Sequence, residues 1–130
     1  MPIRYHIDPT EQVVYIQLEG NERVSSVVAS IRKLANLPDL PPRGCVLIDL
    51  TNNQAIPSVN DIRKIMKEYA HLANNLHGPV AMVARPGFHF GLARMATLIG
   101  GNWGFDMCAF TSLEEAEAWL GIKHLPVKEA

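Results

Sequence analysis

A short loop in the second half of the chain, RPGFHFG, contains residue types that bind small anions. Arg85 and Arg94 flank His89, and guanidinium groups bind carboxylates and phosphates through paired N–H donors. Gly87 and Gly91 let the backbone approach a ligand with no Cβ in the way. The loop lacks the GxxxxGK[ST] and GxGxxG patterns that bind nucleotide phosphates, so no cofactor is predicted. The residues predict a site for a small oxyanion; the alternative is a Pro-Gly turn with surface arginines.

A second candidate group is Asp49, which follows the apolar run CVLI. A carboxylate at a sheet edge can act as a general acid or base, and Asp49, Arg85 and His89 would then form the site of a small enzyme. The alternative is that Asp49 accepts hydrogen bonds from loop amides. The 5 histidines show no HxH or HExxH pattern, and no Ser-His-Asp or Cys-His pair can be placed by spacing. The favoured hypothesis is therefore a non-enzymatic binding or regulatory module without a metal, for a small anion or a protein partner.

The bulk composition excludes several classes of protein. The chain has 130 residues, of which 48% are apolar and 19% charged, and this composition is typical of folded domains. The net charge of −1, with no basic run interleaved with aromatic residues, argues against nucleic-acid binding. Cys45 and Cys108 lie in apolar runs, which indicates buried free thiols. With no signal pattern and no apolar stretch near the roughly 20 residues of a membrane helix, a cytoplasmic location is predicted.

Hydrophobic periodicity predicts the elements that position these groups. Residues 3–8 and 13–19 alternate apolar and polar side chains, which predicts a hairpin. Residues 24–37 have helical spacing and end at a proline-rich loop. The continuous apolar runs at 45–50 and 79–84 are typical of buried parallel strands.

The second half of the chain follows the same alternation. A long helix is predicted from Ser58, which has capping-box spacing to Asp61, and a third helix over about 89–99. A strand over 105–110 and a short helix after Ser112 complete the order β-β-α-β-α-β-α-β-α. Right-handed crossovers then give an α/β fold with a five-stranded mixed, mostly parallel sheet and four helices. We expect one domain over residues 1–121 and a C-terminal tail over 122–130.

The third predicted helix is apolar on nearly every side, since its core sequence, GLARMATLI, has only two polar side chains, Arg94 and Thr97. A helix that lies on one face of a sheet needs only an apolar stripe, so a second surface should cover the remainder. An isologous homodimer is the simplest candidate; the alternative is that the extra apolar residues, such as Ala93 and Ala96, are small enough to be tolerated in the open. The residues predicted at its interface are Leu92, Met95, Ala96, Ile99 and Trp103.

Three stretches, VLIDL, FGLARM and SLEEAEAWL, together with the element order, carry a family resemblance. The chain resembles the small STAS/Sec14-like α/β domains, which include the SpoIIAA-like fold of anti-sigma-factor antagonists. It is most similar to uncharacterised bacterial members, and the likeness extends from about residue 3 to 121. The resemblance implies a SpoIIAA-like fold. The Sec14 relatives bind lipids, but their chains are much longer.

The resemblance also adds a third hypothesis for function. In anti-sigma-factor antagonists, a partner kinase phosphorylates a serine in the loop after the VLIDL strand. Ser58 is the nearest match by position, although Pro57 precedes it and the flanking acid and glycine are absent. The resemblance thus implies a phosphorylation-switched protein with Ser58 as its phosphosite. The alternative is that Ser58 only caps the helix that follows.

Overall fold

The computed structural model describes residues 3–21, 23–41, 43–76, 78–104 and 106–122. Within these residues the chain forms a five-stranded mixed sheet and four α-helices in the order β-β-α-β-α-β-α-β-α, which confirms the predicted fold class. The predicted tail beyond residue 122, and Phe105 at the predicted start of the last strand, lie outside the described residues.

The elements agree with the sequence pattern to within a few residues. The strands are β1 Ile3–Asp8, β2 Val13–Leu18, β3 Cys45–Asp49, β4 Val80–Val83 and β5 Met107–Phe110. The helices are α1 Val24–Ala35, α2 Val59–Leu76, α3 Phe88–Gly100 and α4 Leu113–Leu120. A 3-10 turn, Gly101–Trp103, follows α3.

The strands lie in the sheet in chain order, β1-β2-β3-β4-β5, with β1 antiparallel to β2 and the other neighbours parallel. Each parallel connection therefore joins a strand to its immediate neighbour, always toward the same side of the sheet. Because such connections are right-handed, they place α1, α2 and α3 on the same face of the sheet. Each of these helices returns antiparallel to the strands, so its N-terminus lies at the carboxyl edge of the sheet.

Side chains that alternate along the strands form two apolar layers. Val14, Ile16 and Ile48 belong to the larger layer, with α1, α2 and α3, while Tyr15 and Leu47 belong to a smaller layer with α4. The strands β3 and β4 are buried on both sides, as their continuous apolar sequences predict. Among the described residues, no helix is both long and apolar enough to cross a membrane.

The two cysteines are free thiols with different surroundings. Cys45 is buried, and its burial raises the pKa of the thiol to about 11. Cys108 is only partly buried, contrary to the expectation from its apolar run, because β5 is at the edge of the sheet.

The cap predicted at Ser58 forms, and α4 is capped at both ends. Ser58 Oγ accepts a hydrogen bond from the Asp61 N–H at 3.1 Å, and the Asp61 carboxylate accepts one from the Ser58 N–H at 3.2 Å. Ser112 Oγ accepts a hydrogen bond from the Glu115 N–H at 3.3 Å. Gly121 ends α4 in the left-handed conformation, at φ 73°. These contacts satisfy N–H groups that the first turns of α2 and α4 would leave unpaired.

Replacing Gly78 with alanine is expected to destabilise the protein by about 1–3 kcal/mol, because its Cβ would overlap the Gly44 carbonyl group. Gly91 is the matched control: a Cβ there has open space, and alanine in a helix is about 0.5–1 kcal/mol more favourable than glycine. Urea unfolding of Gly78→Ala and Gly91→Ala should shift the midpoint in opposite directions. Equal shifts would show that the close approach of Gly78 to Gly44 is not a constraint.

The acid stability of the protein should depend on the contact between α1 and α2. Arg32 donates two hydrogen bonds to the Glu68 carboxylate, at 2.7 and 3.3 Å, and the Glu68 side chain is only 8% exposed. The hydrogen bonds from Arg32 lower the pKa of Glu68, against the opposing effect of burial. A lowered pKa in the folded state stabilises the protein above the unfolded pKa, near pH 4.3, and this contribution is lost as the pH falls through the folded value.

The expected result is that Glu68→Gln flattens the decline in unfolding free energy below about pH 5. In Arg32→Gln the carboxylate keeps its burial without its partner, so the decline should disappear or reverse. Chemical unfolding of the three proteins at a series of pH values measures both effects. An acid decline in Glu68→Gln as steep as that of the wild type would contradict this explanation.

Candidate functional site

A cavity of about 300 Å³ lies at the carboxyl edge of the sheet, between the sheet and its three-helix face. Leu18, Leu50, Met82 and Ala84 line it from the ends of β2, β3 and β4. In open α/β sheets this edge is where ligands bind. The cavity thus occupies the position at which the topology predicts a binding site.

The walls of the cavity are mostly apolar side chains from three helices. They include Val24 and Val27 of α1, Ile62, Ile65, Met66 and Tyr69 of α2, and Leu92, Ala93 and Ala96 of α3. The two alanines of α3 are buried, and their short side chains leave open the space between α2 and α3 that larger residues would fill. The sequence therefore encodes a void at this position.

Polar side chains line the cavity from the helix starts and from the loop after β3. They are Asn21, Arg23, Asn53, Asp61 and His89. Asp61 already accepts the Ser58 N–H. The first residues of α1 and α3 receive no hydrogen bond from a side chain at their N-caps. Because first-turn N–H groups carry partial positive charge, this edge favours an anionic group.

The structure brings Arg85 and His89 together. Arg85 Nη2 donates to the Asn53 carbonyl oxygen at 2.7 Å and lies 3.0 Å from Nε2 of His89. A guanidinium group only donates hydrogen bonds, so the ring nitrogen of His89 is the acceptor in this contact. Arg85 Nε is buried and has no hydrogen-bond partner in the described part of the chain. Arg85 thus ties the loop after β4 to the loop after β3 and orients His89 in the cavity wall.

The remaining residues of the predicted anion site lie in different positions. Gly87 is the N-cap of α3, at φ 90°, a conformation that favours glycine. The Gly91 N–H donates to the Gly87 carbonyl oxygen at 3.0 Å inside the helix, so it is not free for a ligand. Arg94 is exposed and does not line the cavity. The predicted site therefore separates into Arg85, Gly87 and His89 at the sheet edge, and Gly91 and Arg94 on the solvent side of α3.

Asp49 forms a separate cluster on the α4 face. Its carboxylate accepts hydrogen bonds from the Tyr15 hydroxyl at 3.0 Å, the Thr51 N–H at 3.0 Å and the Thr51 hydroxyl at 2.7 Å. Burial, together with the Asp49 carboxylate, raises the pKa of Tyr15 above its ordinary value. Asp49 does not line the cavity that contains His89. These contacts match the loop-capping alternative and do not bring Asp49 to Arg85 and His89.

The predicted phosphosite, Ser58, is exposed at the start of α2 and forms the capping box with Asp61. A phosphate on Ser58 would meet the positive end of the helix but also the Asp61 carboxylate. The geometry is therefore that of a helix cap, and phosphorylation remains a prediction from the resemblance.

The predicted homodimer face of α3 points largely inward. Ala96 is 5% exposed within the chain, and Leu92 lines the cavity. Met95 and Ile99 are partly buried against the core, and Trp103 is 41% exposed. The large apolar side chains that α3 exposes are instead Phe88 and Leu98, at 62% and 75%. Because α3 is apolar nearly all round, its sequence does not show which side faces the sheet.

Sequence reasoning missed several residues of the cavity. Asn53 and Arg23 lie in loops or at a helix start, where periodicity carries no signal. Tyr69 lies on the long helix predicted from Ser58, and nothing in its sequence context marks it as a site residue. The usable signal was the spacing of Ala93 and Ala96 on an otherwise bulky helix. In the described residues, no three His, Cys, Asp or Glu side chains are grouped to hold a metal ion.

Comparison with known proteins gives a similarity of fold. No protein-family model and no curated protein matches this sequence. Among solved structures, it is similar to an uncharacterised protein of the DUF3478 family with a SpoIIAA-like fold, from Shewanella loihica PV-4. The two are 16% identical with a TM-score of 0.59, and the match covers 91% of this chain and 93% of that chain. The chain therefore has a SpoIIAA-like fold, as the resemblance in its sequence implies.

Proposed function

We propose that this protein is a non-enzymatic binding module that holds a small amphipathic acid in the cavity at the carboxyl edge of the sheet. The apolar body of the ligand lies between the sheet and the three helices, and its anionic group lies at the helix starts. The observation that carries this proposal is the cavity itself, which has mostly apolar walls and a set of polar groups at one edge.

The size of the cavity limits the ligand. A volume of about 300 Å³ equals roughly ten water molecules at about 30 Å³ each. This suits a ligand of roughly ten non-hydrogen atoms, such as octanoate. Burial of its chain contributes about 0.8 kcal/mol for each CH₂ group, against the entropy lost on binding. A dissociation constant between roughly 10 μM and 1 mM is therefore expected.

The electrostatics at the edge favour an acid over a neutral ligand. The starts of α1 and α3 present N–H groups without side-chain acceptors, and Arg23 adds a positive charge there. These features support an anionic head group beside Arg23 and His89.

The arrangement supports binding rather than catalysis. The enzyme hypothesis needs Asp49 beside Arg85 and His89, but the Asp49 carboxylate bonds Tyr15 and Thr51 on the α4 side of the sheet. The polar contacts of Arg85 hold two loops together. A positioning role for Arg85 fits a binding module.

Octanoate is expected to bind the wild type, and Ala93→Leu is expected to abolish binding because the added side chain fills the cavity. The matched control is Ala118→Leu, since Ala118 is exposed on α4 at the other face of the sheet. Isothermal titration calorimetry measures binding, and thermal unfolding checks that both variants fold. Absence of binding at millimolar octanoate, or unchanged binding by Ala93→Leu, would overturn the proposal.

Octanol, which has the same chain length but no charge, is expected to bind about three- to tenfold more weakly than octanoate, given the usual strength of helix-terminus interactions. Arg23→Gln should reduce this difference, whereas Arg94→Gln should leave it unchanged because Arg94 lies outside the cavity wall. Competition titrations at low and high salt measure the ratio of affinities. An equal effect of the two substitutions would place the anionic group elsewhere.

A further inference from the structure

The two edges of the sheet differ in chemistry. In the described part of the chain, β1 forms one edge, β5 forms the other, and no further strand pairs with either. The sequence of β1, IRYHID, places Arg4, His6 and Asp8 on its edge, and charged side chains commonly protect an exposed edge from pairing with another chain. The sequence of β5, MCAF, has no charged residue and no proline, and all of it is partly exposed. The β5 edge therefore lacks the protection that β1 has.

The outer side of β5 presents backbone groups at two positions. The carbonyl oxygens of Asp106 and Phe110 each accept a hydrogen bond at 2.9 Å from the N–H of a residue in or directly after β4. Because backbone groups alternate in direction along a strand, Met107 and Ala109 direct their N–H and C=O groups away from β4. A further strand beside β5 would pair with these two residues.

The side chains beside this edge are apolar. On the α4 face, Trp119 is 42% exposed, and its ring centroid lies 5.8 Å from that of Phe110. Cys108, which has the same direction along the strand as Phe110, is a partly buried free thiol. On the opposite face α3 packs against β5, and Met107 is only partly buried against the larger apolar layer. A strand added at this edge would remove more of this apolar surface from water.

The spacing of the outward groups fits a second copy of β5. In an antiparallel pair about a two-fold axis through Cys108, Met107 of each copy lies opposite Ala109 of the other, so that all of their outward N–H and C=O groups are paired. The two sheets then form one sheet, whose outer edges are the two charged β1 strands. Because a two-fold interface uses the same surface on both copies, this assembly closes at two.

We propose that the protein forms a homodimer in which the β5 strands of two copies pair antiparallel about a two-fold axis at Cys108. This interface differs from the α3 face predicted from the sequence. It also goes beyond the proposed function, because β5 does not line the cavity and no residue of the ligand site takes part.

The proposed axis makes Cys108 a direct probe of the pairing. Opposite residues of this kind in an antiparallel pair have Cα atoms about 4.5 Å apart, within the range of roughly 4.4–6.8 Å that a disulfide spans. Diamide takes two electrons and two protons from two thiols, becoming a hydrazine, and leaves a disulfide. The wild type and Cys45→Ala are expected to give a covalent dimer on a non-reducing gel, whereas Cys108→Ser should not. A wild type that stays uncrosslinked would overturn the proposal.

Sedimentation equilibrium measures the dimer without a covalent link, and a dissociation constant below about 100 μM is expected. Ala109→Pro removes one outward N–H from each copy, and proline is tolerated where the N–H of an edge strand faces outward. With two hydrogen bonds lost, the dissociation constant should rise roughly ten- to hundredfold. Cys108→Lys should also weaken the dimer, because it places like charges directly opposite each other. The matched control is Tyr5→Lys, at an exposed position of the β1 edge, which should leave the dissociation constant unchanged.

Thermal unfolding identifies any variant that does not fold, and either of the two β5 variants is sufficient for the test. A wild type that remains monomeric at about 300 μM would overturn the proposal, since this concentration exceeds the expected dissociation constant. A dimer that keeps its affinity in the folded β5 variants would also overturn it, because the copies would then meet at another surface. A monomer that instead binds a strand of a different protein at β5 would show that the partner is not a second copy. None of these outcomes bears on octanoate binding, which is measured separately.

Discussion

The handedness of the parallel connections is the constraint on which the candidate site depends. The strand order follows the chain order, so three right-handed connections place α1, α2 and α3 on one face. Their N-termini then surround one edge of the sheet, beside the carboxyl ends of β2, β3 and β4. One cavity therefore receives apolar side chains from three helices and partial positive charge from the starts of α1 and α3. No single segment of the chain contains this combination.

The same constraint makes the two faces of the sheet unequal. On the α4 face, a helix of 8 residues packs against a smaller apolar layer that includes Cys45 and Tyr15. The polar atoms there are satisfied locally, since Asp49 accepts hydrogen bonds from Tyr15 and Thr51. The Cys45 thiol, with its pKa raised to about 11 by burial, is protonated at neutral pH and acts as a packing group. The α4 face thus has the features of a structural layer, while the unfilled volume lies on the opposite face.

Local patterns in the sequence were enough to predict the elements, but not the relations between them. The capping box at Ser58, the N-cap at Ser112 and the apolar strands β3 and β4 each lie within a few consecutive residues, so they could be recognised directly. The orientation of α3 could not be recognised, because a helix that is apolar nearly all round does not show which side packs on the sheet. Ala96, predicted at a dimer interface, lies in the core instead. The cavity leaves a partial signal in the spacing of Ala93 and Ala96, but its position depends on the sizes of side chains that three separate helices bring together.

Two departures from ordinary packing coincide in that cavity. Small residues at 93 and 96 leave a void next to bulky neighbours, and the buried hydroxyl of Tyr69 has no partner in the described structure. Each of them lowers stability when the cavity is empty. Both departures lie in the same wall, and a ligand bound there would fill the void. Because local rules are typically broken at functional sites, the coincidence favours a binding site over an imperfect core.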